Sequence, residues 1–437
     1  MTYVEFFDEV ALDNIHACFS CVPDRVILIG YHMDVMSEHI DRYKKVLNER
    51  YKELFEQRGH GVEFIPKKIK PNSVDSARDV IKNILKEHKD CVFDVTGGDE
   101  ASMMALGMVC ANADTHIQVQ KFNLQHDIVY DLDKDGYPSE HHTPMLSVEE
   151  NVRIYGGDVI HGNIDSNYTY DWDLSDEFVQ DIEDMWAICH KDVRLWNKQI
   201  GVFKVMNDLD KNAADPLTLT VPMTRLLHEM SRKNNAQIIK DEDIISALLE
   251  KGLLTCFVQY GDDVIVAFKN KQVKKCLTKE GQALEMKVLI AARSLQDEEG
   301  NPVYNDVMNG VFIDWDGQCH DEKKEGKFDV ENEIDVLMMH RLIPVFISCK
   351  NGDVDSEEVY KLNTVAARFG GPYAKKVLIA TALGDKRKKN AQRHNHKMDQ
   401  QDESHNYLRQ RARDMQIQLI EDIDEDFPQL LANAWKK

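Results

Sequence analysis

The chain has 437 residues, 43% of them hydrophobic, which is enough for packed cores in two or three domains. With 76 acidic against 54 basic residues, its net charge of -22 argues against a whole-protein nucleic-acid glove, because phosphate affinity comes from Lys and Arg; any nucleic-acid site must be local. The 9 scattered cysteines do not make a secreted disulfide framework and fit a reducing cytosol, and Cys18 and Cys21 form a lone CxxC with no second pair at zinc-site spacing.

The N-terminus carries acids where a signal peptide needs a basic start. No apolar run reaches the roughly 18 residues of a membrane span, so a soluble, cytoplasmic protein is expected, with no membrane partner. Residues 25–150 then alternate strand and helix patterns. "RVILIG" (25–30) precedes a helical run (37–59), "VEFIPKKI" precedes the amphipathic "SARDVIKNILKEH" (76–88), and "CVFD" (91–94) opens into another helix before "HIQVQKF". This order predicts a parallel sheet with helices on both faces and a ligand beyond the carboxyl ends of the strands. Two strand ends leave through glycine and enter a helix, "LIGYHMD" and "FDVTGGDEAS". Gly97 and Gly98 let a backbone approach a ligand closely, but neither segment is a dinucleotide or P-loop motif. The adjacent His141 and His142, between Pro138 and Pro144, read as surface loop.

Residues 156–275 are mixed: helical patterns at 175–196 and 241–251 run into two strand-like segments joined by Gly261-Asp262-Asp263, a hairpin signal. A small α+β connector, winged-helix-like in this order, is expected. From 276 to 381 the order is helix (277–295), strand (310–317), strand (333–340), strand (342–350), helix (356–371), strand (375–381).

Within that frame Glu333 and Asp335 share a face of one strand, and Ser348 and Lys350 share a face of the next. Paired as a hairpin through "HRLIP", the strands would bring two acids and a lysine to one end of a sheet, with Glu285 on the preceding helix completing the group. Such carboxylates suit a hard divalent cation, Mn²⁺ or Mg²⁺, beside a lysine that assists phosphodiester hydrolysis. Asp314 and Asp316 are a second acidic pair, read as an ordinary exposed strand end. The basic stretch "KRKKNAQRHNHK" (386–397), with Lys386, Arg387, Lys388, Lys389 and Arg393, can gather nucleic-acid phosphates locally.

Glu285, Asp335 and Lys350, in that order on an α-β-β-β-α-β frame, resemble the PD-(D/E)xK restriction-endonuclease-like superfamily. Together with "ENEIDVL...PVFISCKNG...LNTVAARFGG" they resemble the CRISPR-associated nucleases in which such a domain follows a CARF domain, the CRISPR-associated Rossmann fold. The resemblance implies an α/β protein with a CARF ligand-sensing domain (1–155), a connector (156–275) and a nuclease domain (276–437). It implies metal at Glu285 and Asp335, with Lys350 assisting hydrolysis. Ser348 stands where the family usually has an acid; its hydroxyl and the Cys349 carbonyl can still contribute oxygen to the metal, and Glu333 offers a spare carboxylate on the Asp335 face. It also implies a homodimer binding a cyclic oligoadenylate, cyclic tetra-adenylate by its two-fold symmetry, through Tyr31, His32, Thr96, Gly97, Gly98 and Asp99. The expected activity is activator-gated cleavage of DNA or RNA in type III CRISPR antiviral defence. The Ser348 departure leaves a second reading, a nucleotide-sensing DNA-binding regulator with an inactive nuclease frame; a third is an N-terminal domain that degrades its own ligand.

Overall fold

A strand that the 25–150 pattern leaves out lies at the centre of the first sheet. It is β1 (Thr2–Phe6), buried throughout, with the carboxyl group of Glu5 inside the protein. In this computed structural model, all residues are described except 114–115, 125, 127, 135, 140–143, 212–214, 233–240, 319–329, 353, 382, 384–395 and 437. The pair His141 and His142 and the basic stretch holding Lys386, Arg387, Lys388, Lys389 and Arg393 lie outside the described residues.

β1 joins β2 (Arg25–Gly30), β3 (Glu63–Lys68), β4 (Cys91–Asp94), β5 (Gln118–Asn123), β6 (Ile128–Asp131) and β7 (Tyr137–Ser139) in one sheet of order β3-β2-β1-β4-β5-β6-β7. The first five are mutually parallel. β6 and β7 are antiparallel, a departure from the expected all-parallel sheet, because the few residues between β5 and β6 allow only a hairpin; a parallel return needs a crossover of a dozen or more residues. The chain builds outward from β1 to β2 and β3, then crosses to β4 and β5 on the other side. That reversal makes a topological switch point between β1 and β4, where ligands bind in such sheets. The helix Met33–Arg50 covers one face through Met36, Ile40 and Tyr43, while Val74–Glu87 and Glu100–Ala111 cover the other through Ile81, Ala105 and Leu106. The protein is mixed α/β, Rossmann-like at its N-terminus.

A two-residue strand, β8 (Asp158–Val159), next enters the C-terminal sheet as its edge, before the chain runs into the middle helices. There β9 (Thr218–Pro222), β10 (Leu254–Tyr260) and β11 (Asp263–Phe268) form a three-stranded antiparallel sheet, the last two joined through Gly261 at φ +62, the left-handed conformation a tight hairpin turn requires. The C-terminal sheet has the order β16-β15-β14-β13-β12-β8, with β12 (Asp306–Asp314), β13 (Glu331–His340), β14 (Ile343–Lys350), β15 (Lys375–Ala380) and β16 (Ile417–Ile420). The run 277–295 is two helices, Lys271–Thr278 and Gln282–Ser294, divided at Gly281 with φ +82. Asp314 is buried at the end of β12 while Asp316 lies beyond the strand and is exposed, so the two do not form the exposed pair expected.

β14 is apolar on both faces because both are covered. Val345, Ile347 and Cys349 pack into a core shared with the middle module, and Phe346 packs into a second core that continues through the Ser356–Gly370 helix into Tyr3, Val26 and Leu28 of the N-terminal sheet. The two sheets therefore meet through one continuous apolar core. Among the described residues, no helix is long and apolar enough to cross a membrane.

Candidate functional sites

The C-terminal site is assembled by hairpin register. The turn at Arg341 and Leu342 pairs His340 with Ile343 and Val336 with Ile347. Continuing that register sets Asp335 opposite Ser348. The Asp335 Oδ2 accepts the Cys349 backbone N–H at 2.6 Å and the Ser348 hydroxyl at 3.3 Å, and lies 3.7 Å from the Lys350 ammonium. On the other side of Asp335, β12 passes through Gly310 at φ +56, and the neighbouring Asn309 amide donates to the Asp335 carbonyl at 2.9 Å and to Glu285 Oε2 at 3.2 Å. The Gln282 amide donates to Glu285 Oε2 as well, at 3.1 Å. The structure thus brings Glu285, Asp335, Ser348 and Lys350 together, as the sequence indicates.

It also supplies groups that the sequence reading missed. Lys279, at the break before the Gln282–Ser294 helix, lies 2.5 Å from Glu333 and 3.9 Å from Glu285. Glu333 is therefore already held by an ammonium, not a spare carboxylate beside Asp335. Glu358, in the first turn of the Ser356–Gly370 helix, holds Lys350 at 3.1 Å. A glycine interrupting the helical pattern, "TKEGQ", was the available signal for Lys279 and Gln282; nothing in the local pattern marks Glu358.

Burial dominates the electrostatics. It pushes the Glu285 carboxyl up to about 8 against the pull of Lys279, with Asp335 and Glu333 pushing the same way. Asp335 also rises, by burial first, against the opposing Lys350 charge and the Cys349 N–H. Burial alone would depress Lys350, but Asp335 and Glu358 outweigh it and hold the ammonium above the usual lysine range. Lys350 is therefore a fixed positive charge in this state, suited to stabilising charge on a phosphate rather than to accepting a proton.

The donors match a hard divalent cation in kind: two buried carboxylates, raised by burial and crowding, gain from a cation that replaces their protons. They do not form a cage. Among the described residues no group of three His, Cys, Asp or Glu is arranged to hold a metal ion. The Cys349 thiol is buried and kept neutral, far above its ordinary range, so only its carbonyl is an oxygen donor.

At the N-terminal sheet the ends of β2, β1 and β4 lie side by side. The ring of Tyr31 packs on that of His32 at 4.5 Å, and both residues are exposed. Two strands away, Asp94 accepts the Thr96 N–H at 2.8 Å, the Thr96 hydroxyl accepts the Phe122 N–H at 2.8 Å, and Asp99 caps the Glu100–Ala111 helix by accepting the Ser102 N–H. Gly97 and Gly98 are required by close packing: a β-carbon on Gly97 would meet that of Asp8 at 2.9 Å, and one on Gly98, at φ +105, would collide with Phe6. The intervening β1 exit brings Asp8, whose carboxylate accepts the Gly98 N–H at 3.3 Å. Behind this loop Asp13 accepts a hydrogen bond at 2.9 Å from Tyr373, which follows the Ser356–Gly370 helix in the C-terminal part. Burial pushes Asp13 up to about 6, opposed by the Tyr373 hydroxyl.

No protein-family model matches the chain, and no curated protein matches it. Solved structures do. Can2 from Sulfobacillus thermosulfidooxidans, solved in complex with cyclic tetra-adenylate, aligns over 100% of this chain and 99% of its own with a TM-score of 0.62 and 16% identity. Protein VC1899 from Vibrio cholerae aligns over 100% and 96%, with a TM-score of 0.64 and 16% identity. At this identity the likeness establishes the fold: the whole chain shares the architecture of these two proteins.

Proposed function

We propose that the protein is a nuclease gated by a cyclic oligoadenylate, acting in type III CRISPR defence. The observation that carries this reading is the convergence of Glu285, Asp335 and Lys350 at one end of the C-terminal sheet, on a fold shared with a protein solved with cyclic tetra-adenylate. Glu285 and Asp335 would hold a divalent metal, Mn²⁺ or Mg²⁺, with the Cys349 carbonyl, and Ser348 would orient Asp335. A metal bound there would supply Lewis acidity toward a phosphodiester oxygen and an activated water. The Lys350 ammonium, steered by Glu358, adds positive charge where the phosphate charge grows in the transition state. The basic stretch from Lys386 to Arg393 would gather DNA or RNA phosphates.

The N-terminal edge would bind cyclic tetra-adenylate, with Tyr31 and His32 stacking on adenine and the Thr96–Asp99 loop receiving backbone oxygens. A homodimer is supported by the Glu100–Ala111 helix, which leaves Met104 60% and Met108 43% exposed beside that loop. The Asp13–Tyr373 bond and the shared core give ligand binding a physical route to the Ser356–Gly370 helix and so to Glu358 and Lys350. A ligand acting through it must bind the two states with different affinity.

The test is cleavage of supercoiled plasmid, single-stranded DNA and RNA with Mn²⁺, with and without cyclic tetra-adenylate, by wild type and Lys350→Ala. Cutting only with activator, lost in the variant, supports the proposal. Ligand binding with no cutting under any condition selects the second reading, a DNA-binding regulator with a retired site; the serine at position 348 favours it.

A further inference from the structure

Beside the carboxylates, a cleft of about 750 Å³ runs from Glu333, Asn309 and Gly310 to the middle module. In a chain of net charge -22 its lining inverts the balance, with Lys204, Lys211, Lys271, Lys274, Lys275 and Lys279 against four carboxylates. One wall is held in place from within: Lys275 donates to the carbonyls of Ile164 at 2.9 Å and Ser166 at 2.8 Å, and its ammonium sits 5.7 Å from the centre of the Tyr170 ring. That wall presents Tyr168, 40% exposed and braced edge-on against Phe312 at 5.6 Å, with Tyr170 braced against Trp172 at 5.4 Å. Burial draws Lys274 and Lys275 below the usual lysine range, the balance an arriving phosphate would reverse.

We propose that this cleft is the substrate track, taking a single-stranded polynucleotide with its phosphates along the lysines and its bases against Tyr168 and Tyr170, and leading it to the Glu285–Asp335 carboxylates. Cationic grooves with interleaved aromatic rings hold single strands, because only unpaired bases offer their faces for stacking. The inference rests on the nuclease reading and adds the strandedness of its substrate and the surface that receives it.

Binding of fluorescent oligo-dT, oligo-U and a DNA duplex is measured by anisotropy on the full chain in EDTA with cyclic tetra-adenylate, across salt concentrations, and cleavage is measured in parallel with Mn²⁺. Lys204→Glu with Lys211→Glu should weaken single-strand binding about tenfold or more and flatten the salt slope by about 0.7 per lysine removed. Tyr168→Leu should weaken it about tenfold while Tyr168→Phe keeps it, as stacking requires. Lys82→Glu with Lys86→Glu, the same charge change on the N-terminal helix Val74–Glu87, should leave it near wild type. Equal losses in the cleft and N-terminal variants, or no loss in the cleft variants of a protein that still cuts, overturn the track alone. Equal loss of duplex binding overturns the single-strand assignment, and a wild type that neither binds nor cuts any oligonucleotide overturns the nuclease reading beneath it.

Discussion

Glu285 offers the sharpest test of the candidate site's electrostatics, and it can be made without metal, activator or substrate. Its carboxyl sits at about 8 in the folded protein, chiefly through burial, against an ordinary value of 4.5. Between those two values the folded protein keeps a proton that the unfolded chain has released, so this group makes stability fall as pH rises through the window and level off above about 8. The slope is about 1.4 kcal/mol per pH unit, or about 2 kcal/mol between pH 6.5 and 8. Glu285→Gln keeps the shape and an acceptor for Gln282 or Asn309 but cannot ionise. In EDTA, the variant should therefore gain on the wild type by about 2 kcal/mol over that interval, several degrees in Tm. Parallel profiles of wild-type and variant Tm against pH would show that Glu285 does not hold a proton in the folded state, and the reasoning would fail. With Mg²⁺ present, the wild type should recover stability as pH approaches 8, since a cation replaces the proton, and the variant should not.

Other outcomes follow from the same geometry. Lys350→Ala should abolish cutting while cyclic tetra-adenylate binding, read by calorimetry, stays unchanged; Glu358→Gln should lower turnover less, because Asp335 still holds the ammonium. Tyr373→Phe leaves buried Asp13 without its donor, at a stability cost of about 1–3 kcal/mol. It should also reduce the ratio of activated to basal cutting at saturating activator, and an unchanged ratio would remove the Asp13–Tyr373 bond from the coupling route. Met104→Glu with Met108→Glu should convert a dimer to monomers in sedimentation, with ligand affinity falling alongside; monodisperse dimers would place the interface elsewhere.

The convergence of Asp335, Ser348 and Lys350 was legible in the sequence because a two-residue hairpin turn leaves no freedom of register: once His340 pairs with Ile343, each later pair is fixed by counting. Glu285 was legible from helical spacing. For Lys279 and Gln282 the glycine at 281 signals a helix break but not where it points, and nothing local marks Asn309, beside the positive-φ Gly310; their direction depends on the tertiary fold. β1 was passed over for a related reason. Its five residues include Glu5, and a buried carboxyl in a short central strand contradicts the alternation by which strands are recognised. Yet β1 supplies the switch point and Asp8, so the proposed ligand edge could be read only as two loops and not as three adjacent strand ends.

What the sequence hides most completely is the contact between the N-terminal and C-terminal parts. Asp13 and Tyr373 stand 360 residues apart, and no local pattern distinguishes them from a loop acid and a surface tyrosine. Nearby, alternate residues of β14 face opposite cores, one shared with the middle module and one running into the N-terminal sheet. A strand buried in this way cannot shift at one face without disturbing the other, since close-packed interiors transmit displacement rather than absorb it. The same arrangement that makes "VFI" apolar at every position places Lys350 at the end of a strand both domains grip. On the proposed gating, a rearrangement at the Thr96–Asp99 loop would reach that lysine by one of two routes: through Asp13, Tyr373 and the length of the Ser356–Gly370 helix to Glu358, or through the shared core. The Tyr373→Phe experiment separates them, because it cuts the first and leaves the second intact.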